Sequence, residues 1–541
     1  MSDESDAGNN AMREATPMRW RIMVLMLAAA LLGCPAVSAQ ALSAGEPQAL
    51  NWRGAVVDLN PTANFYAKDT GGPVWTVSGR PGPRAAELVD AIDRAEADGL
   101  SPDDYLSDSL REPGRLNGAD DVEGFERAMS AAFLRFARDL HGGRASPSIG
   151  ASNIVIARKT VDPAVWLPAV RDKGVDAALK RLRPSHPQYY QLRQMLAGYR
   201  TLAERGGWPK IPAGPTLKPG MSDARVKAMR ANLKARGYSA IDGGLSYDSG
   251  LVAVVKHFQQ RHGLDADGVA GKGTIEAMNV SADARVRQII VNMERWRWLP
   301  SSLGQRHVLV NQPGFELFLV AGGKTVDRRR VIVGKPYHQT PMFSHQISYA
   351  EFNPTWTVTP AIAVNEMLPK LKKDPGYLGR NDYVLYGGWG AGAPVIDPYS
   401  VNWDAVSGKS FPYKIVQKAG PKNALGVVKF MFPNSFNIYL HDTPSRQLFA
   451  ETGRAFSHGC IRVDKPLEFA NKLFSPDGAL NASQIKGLVE AGKTKAVNLK
   501  TKVPVHLAYF TTWIGDDGAP SFFPDIYGRD KLVSGILFGG V

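Results

Sequence analysis

The sequence predicts a multidomain α+β protein with a helical first half and a mainly β second half. Between residues 84 and 205, apolar residues recur at helical spacing, whereas from His307 onward they form short runs separated by glycine turns. A Pro/Gly-rich stretch at 212–220 separates the two patterns and marks a linker. The chain has 541 residues. That length allows roughly two to four domains of ordinary size.

The composition is that of a globular chain and argues against several other classes. Hydrophobic residues make up 44% and charged residues 21%, without a repeated block, so a disordered scaffold or a solenoid is not expected. Two cysteines exclude a disulfide framework and a cysteine-rich zinc module. The net charge of +14 is spread along the chain and gives no nucleic-acid tail. Such a diffuse positive charge is typical of a protein that acts near an anionic polymer or a membrane surface, but it can also serve solubility alone.

The first 39 residues have the features of a signal peptide. Two arginines precede an apolar stretch at 22–32, and a small-residue cleavage site ends at Ala39. We expect cleavage there and a periplasmic protein. Cys34 leaves lipidation open as an alternative, and an uncleaved signal would leave an inner-membrane anchor. No later apolar run is long enough for an integral membrane domain.

Residues 40–211 are predicted to form a helical scaffold domain. Two apolar stripes at helical spacing support this: Ala85, Leu88, Ile92 and Ala95, and then Met129, Ala132, Phe133 and Phe136. We interpret these stripes as core rather than as a ligand site. A connector helix is predicted over 283–300, within a connector at 283–303. Its Trp296 and Trp298 are interpreted as packing anchors between domains.

Residues 212–282 are predicted to form a compact three-helix domain. Ser222 is the predicted N-cap of the first helix. The domain carries the motifs Leu217-Lys218-Pro219-Gly220, Val254-Val255-Lys256-His257-Phe258-Gln259, His262-Gly263-Leu264 and Asp267-Gly268-Val269-Ala270-Gly271. These motifs resemble the peptidoglycan-binding type 1 domain. The resemblance implies wall binding, and a helical spacer that has lost binding stays open as the alternative.

Residues 304–512 are predicted to form a mainly β domain. Strands are predicted at His307–Asn311, Phe315–Val320, Arg328–Val333, Trp356–Val358, Val427–Phe432, Ile438–His441 and Val503–Tyr509. The strand rhythm breaks at 364–426, which predicts an inserted subdomain, here named the capping insertion. A passive insertion stays open. Residues 513–541 are left as a C-terminal tail.

The residues able to carry chemistry lie around Cys460, the one cysteine that remains after signal cleavage. A thiol is mostly protonated at neutral pH, but a nearby histidine can take its proton and hold the thiolate as an ion pair. His441 and His458 lie 19 and 2 residues before Cys460. On a strand, Tyr439 and His441 face the same side. The N–H groups of Gly459 and Cys460 can then form an oxyanion hole.

The segment Ser457-His458-Gly459-Cys460-Ile461-Arg462-Val463 strongly resembles the signature of the L,D-transpeptidase (YkuD) family. Together with Tyr439 and the histidine-to-cysteine spacing, it is similar to the large, periplasmic, multidomain branch. That branch has a helical scaffold, a peptidoglycan-binding domain and a mainly β catalytic domain with a capping subdomain. Two positions depart from the common pattern: Asp442 stands where many members have glycine, and Arg462 where shorter members often have asparagine.

The resemblance implies a role for each site residue. Cys460 is the nucleophile, and His441 is the general base, oriented through its other nitrogen by the carbonyl of Asp442. The remaining residues support them: Ser457, His458 and Gly459 shape the loop and the oxyanion site, Arg462 braces it, and Tyr439 lines the pocket.

The implied reaction is a two-step acyl transfer between peptidoglycan stem peptides. A tetrapeptide stem is the donor and the side-chain amine of a neighbouring stem is the acceptor, which gives a 3→3 crosslink. The resemblance implies no metal or organic cofactor, and it implies that β-lactams, carbapenems above all, acylate the same sulfur.

The sequence leaves three other functions to consider. A metal hydrolase is disfavoured, because no His-Glu-x-x-His motif is present. An L,D-carboxypeptidase, or an enzyme that attaches or releases wall proteins, would use the same site, so these stay open. A non-catalytic wall-binding protein is disfavoured by the intact Cys460 and His441.

Overall fold

The computed structural model describes residues 49–53, 55–58, 62, 65–148, 152–239 and 243–539. The predicted signal peptide and Cys34 lie outside these residues. These described residues pack as one unit. Among the described helices, none is long and apolar enough to cross a membrane.

The first part of the described chain is helical, as the apolar stripes predict. Its helices are Pro83–Asp93, Asp108–Arg111, Gly118–Gly142, Pro163–Lys173, Val175–Leu182 and Pro187–Glu204. Its short strands are β1 (Ala49–Trp52), β2 (Ala55–Asp58), β3 (Thr76–Val77), β4 (Arg80–Pro81) and β5 (Ile154–Val155). Buried Glu126, in the helix Gly118–Gly142, accepts hydrogen bonds from the backbone N–H groups of Trp75 and Thr76. These bonds hold the segment around β3 against that helix.

Three helices follow the linker, at Ala224–Ala235, Ser249–Arg261 and Lys272–Asn279. The prediction that Ser222 is the N-cap of the first helix is wrong. Asp223 is the N-cap, because its carboxylate accepts the Arg225 N–H, whereas Ser222 forms an isolated β-bridge with Ser246. Asp248 caps the second helix through the N–H of Leu251. Leu251, Val255 and Phe258 are buried, as their spacing predicts.

The connector helix spans Ala282–Trp298 and is buried along its last ten residues. Trp296 stacks on Phe510 at 4.3 Å between ring centroids, and the Trp298 indole donates to the carbonyl of Ala145. Glu294 and Arg297 form an ion pair of 2.7 Å, with both side chains fully buried. The helix therefore contacts both the helical and the β parts of the chain.

The second half is built on strands. They are β6 (Arg306–Asn311), β7 (Glu316–Ala321), β8 (Lys324–Gly334), β9 (Met342–Phe352), β10 (Trp356–Thr357), β11 (Tyr383–Tyr386), β12 (Val395–Ile396), β13 (Lys414–Gln417), β14 (Val428–Met431), β15 (Leu440–His441), β16 (Ala455–Ser457), β17 (Ile461–Val463), β18 (Lys495–Ala508), β19 (Thr512–Ile514) and β20 (Pro520–Phe522). The helices among them are Pro360–Ile362, Leu368–Lys373, Tyr377–Arg380, Pro466–Phe474, Ala482–Glu490 and Arg529–Phe538, with a π-helix at Ala363–Met367.

The largest sheet closes into a barrel. Its strands follow the order β14-β15-β17-β8-β7-β6-β18-β9, and β9 pairs back with β14. The sequence predicts no strand at β9, because the polar run Ser344–Gln346 interrupts the alternation of apolar residues. Pairing with β18 on one side and β14 on the other stabilises this strand. β5 extends the sheet beyond β9.

The strands β11, β12 and β13 of the capping insertion form a sheet with β10, which precedes the insertion, in the order β10-β13-β11-β12. The core of the insertion includes Leu371, Leu385, Trp403 and Ile415. β10 lies within the predicted strand Trp356–Val358. The other three strands have two to four residues each, which is too short to leave a period-2 pattern in the sequence.

The segment left as a C-terminal tail is folded. β19 pairs with β20, and the helix Arg529–Phe538 follows. Asp530 of this helix forms an ion pair of 2.5 Å with Arg295 of the connector helix.

Candidate active site

The parallel pairing of β15 with β17 brings the predicted site residues together. Leu440 lies opposite Ile461, and His441 lies opposite Arg462. Leu440 and Ile461 are fully buried in the barrel core. Because side chains alternate along a strand, His441 and Arg462 share the outer face. Tyr439 and Cys460 each lie two residues before these, so by the same alternation they face the same way.

His441 is buried, and its ring is held in one orientation. Its Nδ1 lies 2.5 Å from the carbonyl oxygen of Asp442, the contact that the resemblance implies. A carbonyl only accepts, so Nδ1 carries the proton and Nε2 keeps a free lone pair. Asp442 is itself fixed, since its carboxylate accepts the Val427 N–H and its own N–H donates to the carbonyl of Val428.

The resting charges of the site differ from the predicted ion pair. Burial raises the pKa of the Cys460 thiol to about 11 and lowers the pKa of His441 to about 3. The Arg462 guanidinium lowers both pKa values as a smaller contribution. Burial disfavours each charged form, so the free protein holds a neutral thiol and a neutral imidazole. The thiol donates to the carbonyl of Asn437 at 3.7 Å, and no hydrogen bond within the described chain joins it to a histidine.

We expect the alkylation of Cys460 by iodoacetamide to rise steeply with pH. Only the thiolate reacts, and a thiol with a pKa of about 11 gains thiolate roughly tenfold per pH unit up to about pH 10. The measurement is the alkylation rate of a chain starting at Gln40, in which Cys460 is the one cysteine.

Free cysteine is the control for this titration, and its rate levels off near its ordinary pKa of about 8.5. A Cys460 rate that is flat between pH 5 and pH 8 would contradict the neutral pair, since a thiolate–imidazolium pair behaves in that way.

The loop 457–460, here named the catalytic loop, is tied together by Ser457. Its hydroxyl donates to the carbonyl of Cys460 at 2.5 Å and accepts the N–H of Gly459 at 3.1 Å. The sequence predicts that the N–H groups of Gly459 and Cys460 both serve an oxyanion hole. The Gly459 N–H is already bonded to Ser457, which leaves that of Cys460, for which the described chain offers no acceptor.

Gly459 is required by its backbone conformation. Its φ is +110°, and a Cβ there would lie 3.2 Å from Cδ1 of Ile438. Both facts favour glycine over any other residue.

The side chain of His458 contacts the capping insertion. Its Nε2 is hydrogen-bonded to the carboxylate of Glu366, and its ring centroid lies 4.7 Å from that of His338. Neither Glu366 nor His338 is predicted as a site residue from the sequence. Both are more than 90 residues away in the chain and belong to no local motif, so only the fold brings them to the loop.

Tyr439 and Arg462 complete the outer face. Tyr439 lies with its ring 5.6 Å from that of His441. Burial raises the pKa of its phenol, and the neighbouring Cys460 raises it further as a smaller contribution. Arg462 is half-buried, and its Nε has no hydrogen-bond partner within the described residues. Its charge is therefore available beside the sulfur.

The described residues contain no group of three or more His, Cys, Asp and Glu side chains arranged to hold a metal ion.

Three parts of the chain match known domain families. Residues 305–504 match the L,D-transpeptidase catalytic domain, residues 60–196 match the "Scaffold domain", and residues 222–278 match the "Putative peptidoglycan binding domain". The protein is thus a multidomain α+β chain that contains an L,D-transpeptidase catalytic domain of the YkuD type and a peptidoglycan-binding domain. The family resemblance and the fold class that the sequence predicts are confirmed.

Among curated proteins, the chain is 34% identical over 248 residues to a "Putative L,D-transpeptidase" of Haemophilus influenzae. The match covers 46% of this chain and 49% of that protein, so the chain spans about half the length of the curated relative.

Two solved structures of L,D-transpeptidases, from Stackebrandtia nassauensis and Xylanimonas cellulosilytica, are 17% and 14% identical. Each match covers 55% of this chain, with 96% and 98% of the solved chains covered. Their TM-scores are 0.22 and 0.16.

Proposed function

We propose that this protein forms 3→3 crosslinks between peptidoglycan stem peptides through a thioacyl-enzyme on Cys460, as a periplasmic enzyme of cell-wall biogenesis. One observation carries the proposal. The parallel pairing of β15 and β17 puts the His441 imidazole on the same face as the sulfur, with its Nδ1 occupied by the Asp442 carbonyl and its Nε2 free to take a proton.

In the first half-reaction, Cys460 attacks the carbonyl between the third residue of a tetrapeptide stem and its terminal D-alanine. The thiol proton moves to Nε2 of His441 as the sulfur–carbon bond forms, so no free thiolate is needed beforehand. The oxyanion accepts the Cys460 N–H, and Arg462 adds positive charge beside it. When the C–N bond breaks, His441 returns the proton to the departing amine of D-alanine, which leaves a thioester.

In the second half-reaction, the side-chain amine of a neighbouring stem attacks the thioester carbonyl. His441 takes a proton from that amine and returns it to the sulfur as the carbon–sulfur bond breaks. The products are one new amide crosslink and the neutral thiol–imidazole pair. If water attacks in place of the amine, the product is a free tripeptide, which is the L,D-carboxypeptidase reaction.

The domain arrangement supports a polymeric substrate. A cavity of about 530 Å³ lies between the peptidoglycan-binding domain and the barrel. Its lining includes Arg261 from the former and Arg330 and Arg454 from the latter. Arg454 lies three residues before the catalytic loop. The cavity therefore joins the peptidoglycan-binding domain to the segment that leads into the catalytic loop.

The test is incubation of the purified protein with tetrapeptide muropeptides, with the products resolved by mass. We expect crosslinked dimers that have lost one D-alanine each, and none from Cys460→Ala. The same pair of proteins is incubated with a carbapenem, and we expect one covalent adduct on the wild type only.

The alternatives give other outcomes. If the products are tripeptides without dimers, the protein is an L,D-carboxypeptidase. If Cys460→Ala, which lacks the nucleophile, still forms products, the thioacyl mechanism is overturned. Binding to the wall without any product or adduct identifies a non-catalytic wall-binding protein.

A further inference from the structure

A buried hydroxyl supports the catalytic loop from a neighbouring segment of the barrel. Thr340 is fully buried, just before β9. Its Oγ1 donates to the carbonyl of Gly459 at 2.8 Å and accepts the N–H of Gly334 at 2.9 Å. The hydroxyl thus joins the end of β8 to the peptide that precedes Cys460.

The carbonyl of Gly459 belongs to the same peptide unit as the N–H of Cys460. In a planar trans peptide the C=O and the N–H point in opposite directions, so a bond that fixes the carbonyl also fixes the direction of the N–H. A hydrogen bond to the carbonyl also polarises the amide and strengthens the N–H as a donor. Because Ser457 occupies the N–H of Gly459, of these two neighbouring N–H groups it is that of Cys460 that remains for an oxyanion.

Thr340 is itself held by the C-terminal segment. The Tyr527 hydroxyl donates to the carbonyl of Gly334 at 2.7 Å and accepts the N–H of Thr340 at 3.3 Å. Buried Arg529 donates through Nη2 to the carbonyl of Thr340 at 3.2 Å. Backbone contacts add to this, since the N–H of Lys335 donates to the carbonyl of Ser457 at 2.9 Å. The position of Thr340 is therefore fixed from several directions.

We propose that Thr340 is a positioning residue that aims the Cys460 N–H at the oxyanion formed during acyl transfer, with Tyr527 holding Thr340 in place. This role rests on the proposed function, since it requires a tetrahedral oxyanion at Cys460. The hydroxyl of Thr340 acts through the carbonyl of Gly459 and does not itself touch the reacting atoms.

The test compares two reactions of the same sulfur. Acylation by a carbapenem passes through an oxyanion, whereas alkylation by iodoacetamide does not. In Thr340→Val, which keeps the shape and removes the hydroxyl, we expect acylation to slow by about 10- to 100-fold, below the loss for deleting an oxyanion donor outright. Alkylation at a fixed pH should stay within about twofold of the wild type.

Two further variants and a control complete the test. Thr340→Ser keeps a hydroxyl and should recover most of the acylation rate, and Tyr527→Phe should give a smaller selective loss. Thr274→Val makes the same change at a buried threonine of the peptidoglycan-binding domain, and both of its rates should match the wild type. Thermal unfolding of each variant is measured alongside.

An equal fall in both rates, or an unchanged acylation rate, overturns the role of Thr340. If Thr340→Val does not fold, the same comparison is made with Tyr527→Phe, in which the ratio of the acylation rate to the alkylation rate decides. The proposed function is overturned if the carbapenem does not acylate the wild type and the wild type converts no tetrapeptide. A reactive wild type without a selective loss in the variants overturns the role of Thr340 alone.

Discussion

Replacing His441 by glutamine should lower the rate of Cys460 acylation by about 10²- to 10⁴-fold. The neutral thiol has a pKa of about 11, so attack requires a base that takes the proton as the bond forms. His441 is the imidazole on the same face of the sheet, and glutamine cannot accept that proton. The measurement is single-turnover acylation by a carbapenem, followed by mass spectrometry.

The matched control is His345→Gln, which makes the same change at an exposed histidine on β9 of the same barrel. Its acylation rate should equal that of the wild type. His458→Gln tests the other histidine near the sulfur, which contacts Glu366 instead. Full acylation in His441→Gln with a large loss in His458→Gln would reverse the assignment of the base.

Replacing Glu294 by glutamine should destabilise the fold by about 3–5 kcal/mol. The change leaves the guanidinium of Arg297 fully buried without its carboxylate partner, and it weakens the acceptor for the N–H of Ala145. Arg297 also donates to the Tyr189 hydroxyl, so the pair joins the connector helix to the helical part of the chain. The measurement is the urea midpoint of the unfolding transition.

Two comparisons sharpen this prediction. Glu490→Gln removes one partner of the exposed pair Lys486–Glu490, which should change the stability by less than about 1 kcal/mol. The double variant Glu294→Leu with Arg297→Met removes both buried charges, and we expect it to recover much of the loss. A single variant as stable as the wild type would mean that the buried pair is not coupled to folding.

Much of the architecture could be predicted from the sequence, because it depends on local patterns. Helical stripes such as Leu251, Val255 and Phe258 are buried as their spacing predicts. β6 and β7 lie within one residue of the predicted runs, because each buries an apolar stretch of ordinary length. β9 and the strands β11, β12 and β13 of the capping insertion are not predicted, since pairing with distant strands stabilises them more than their own composition does.

For the site, the sequence by itself determined that Tyr439 and His441 share one face, because side chains alternate along a strand. The family motif predicts Cys460 as their partner, but it is the parallel pairing of β15 with β17 that brings Cys460 to that face.

Only the tertiary structure decided their charges and hydrogen bonds. The neutral thiol and imidazole follow from burial, the Gly459 N–H is occupied by a side chain, and Glu366 and Thr340 reach the catalytic loop from distant segments. Solvation and hydrogen-bond partners depend on what the whole chain packs around a group, and no local sequence pattern contains that information.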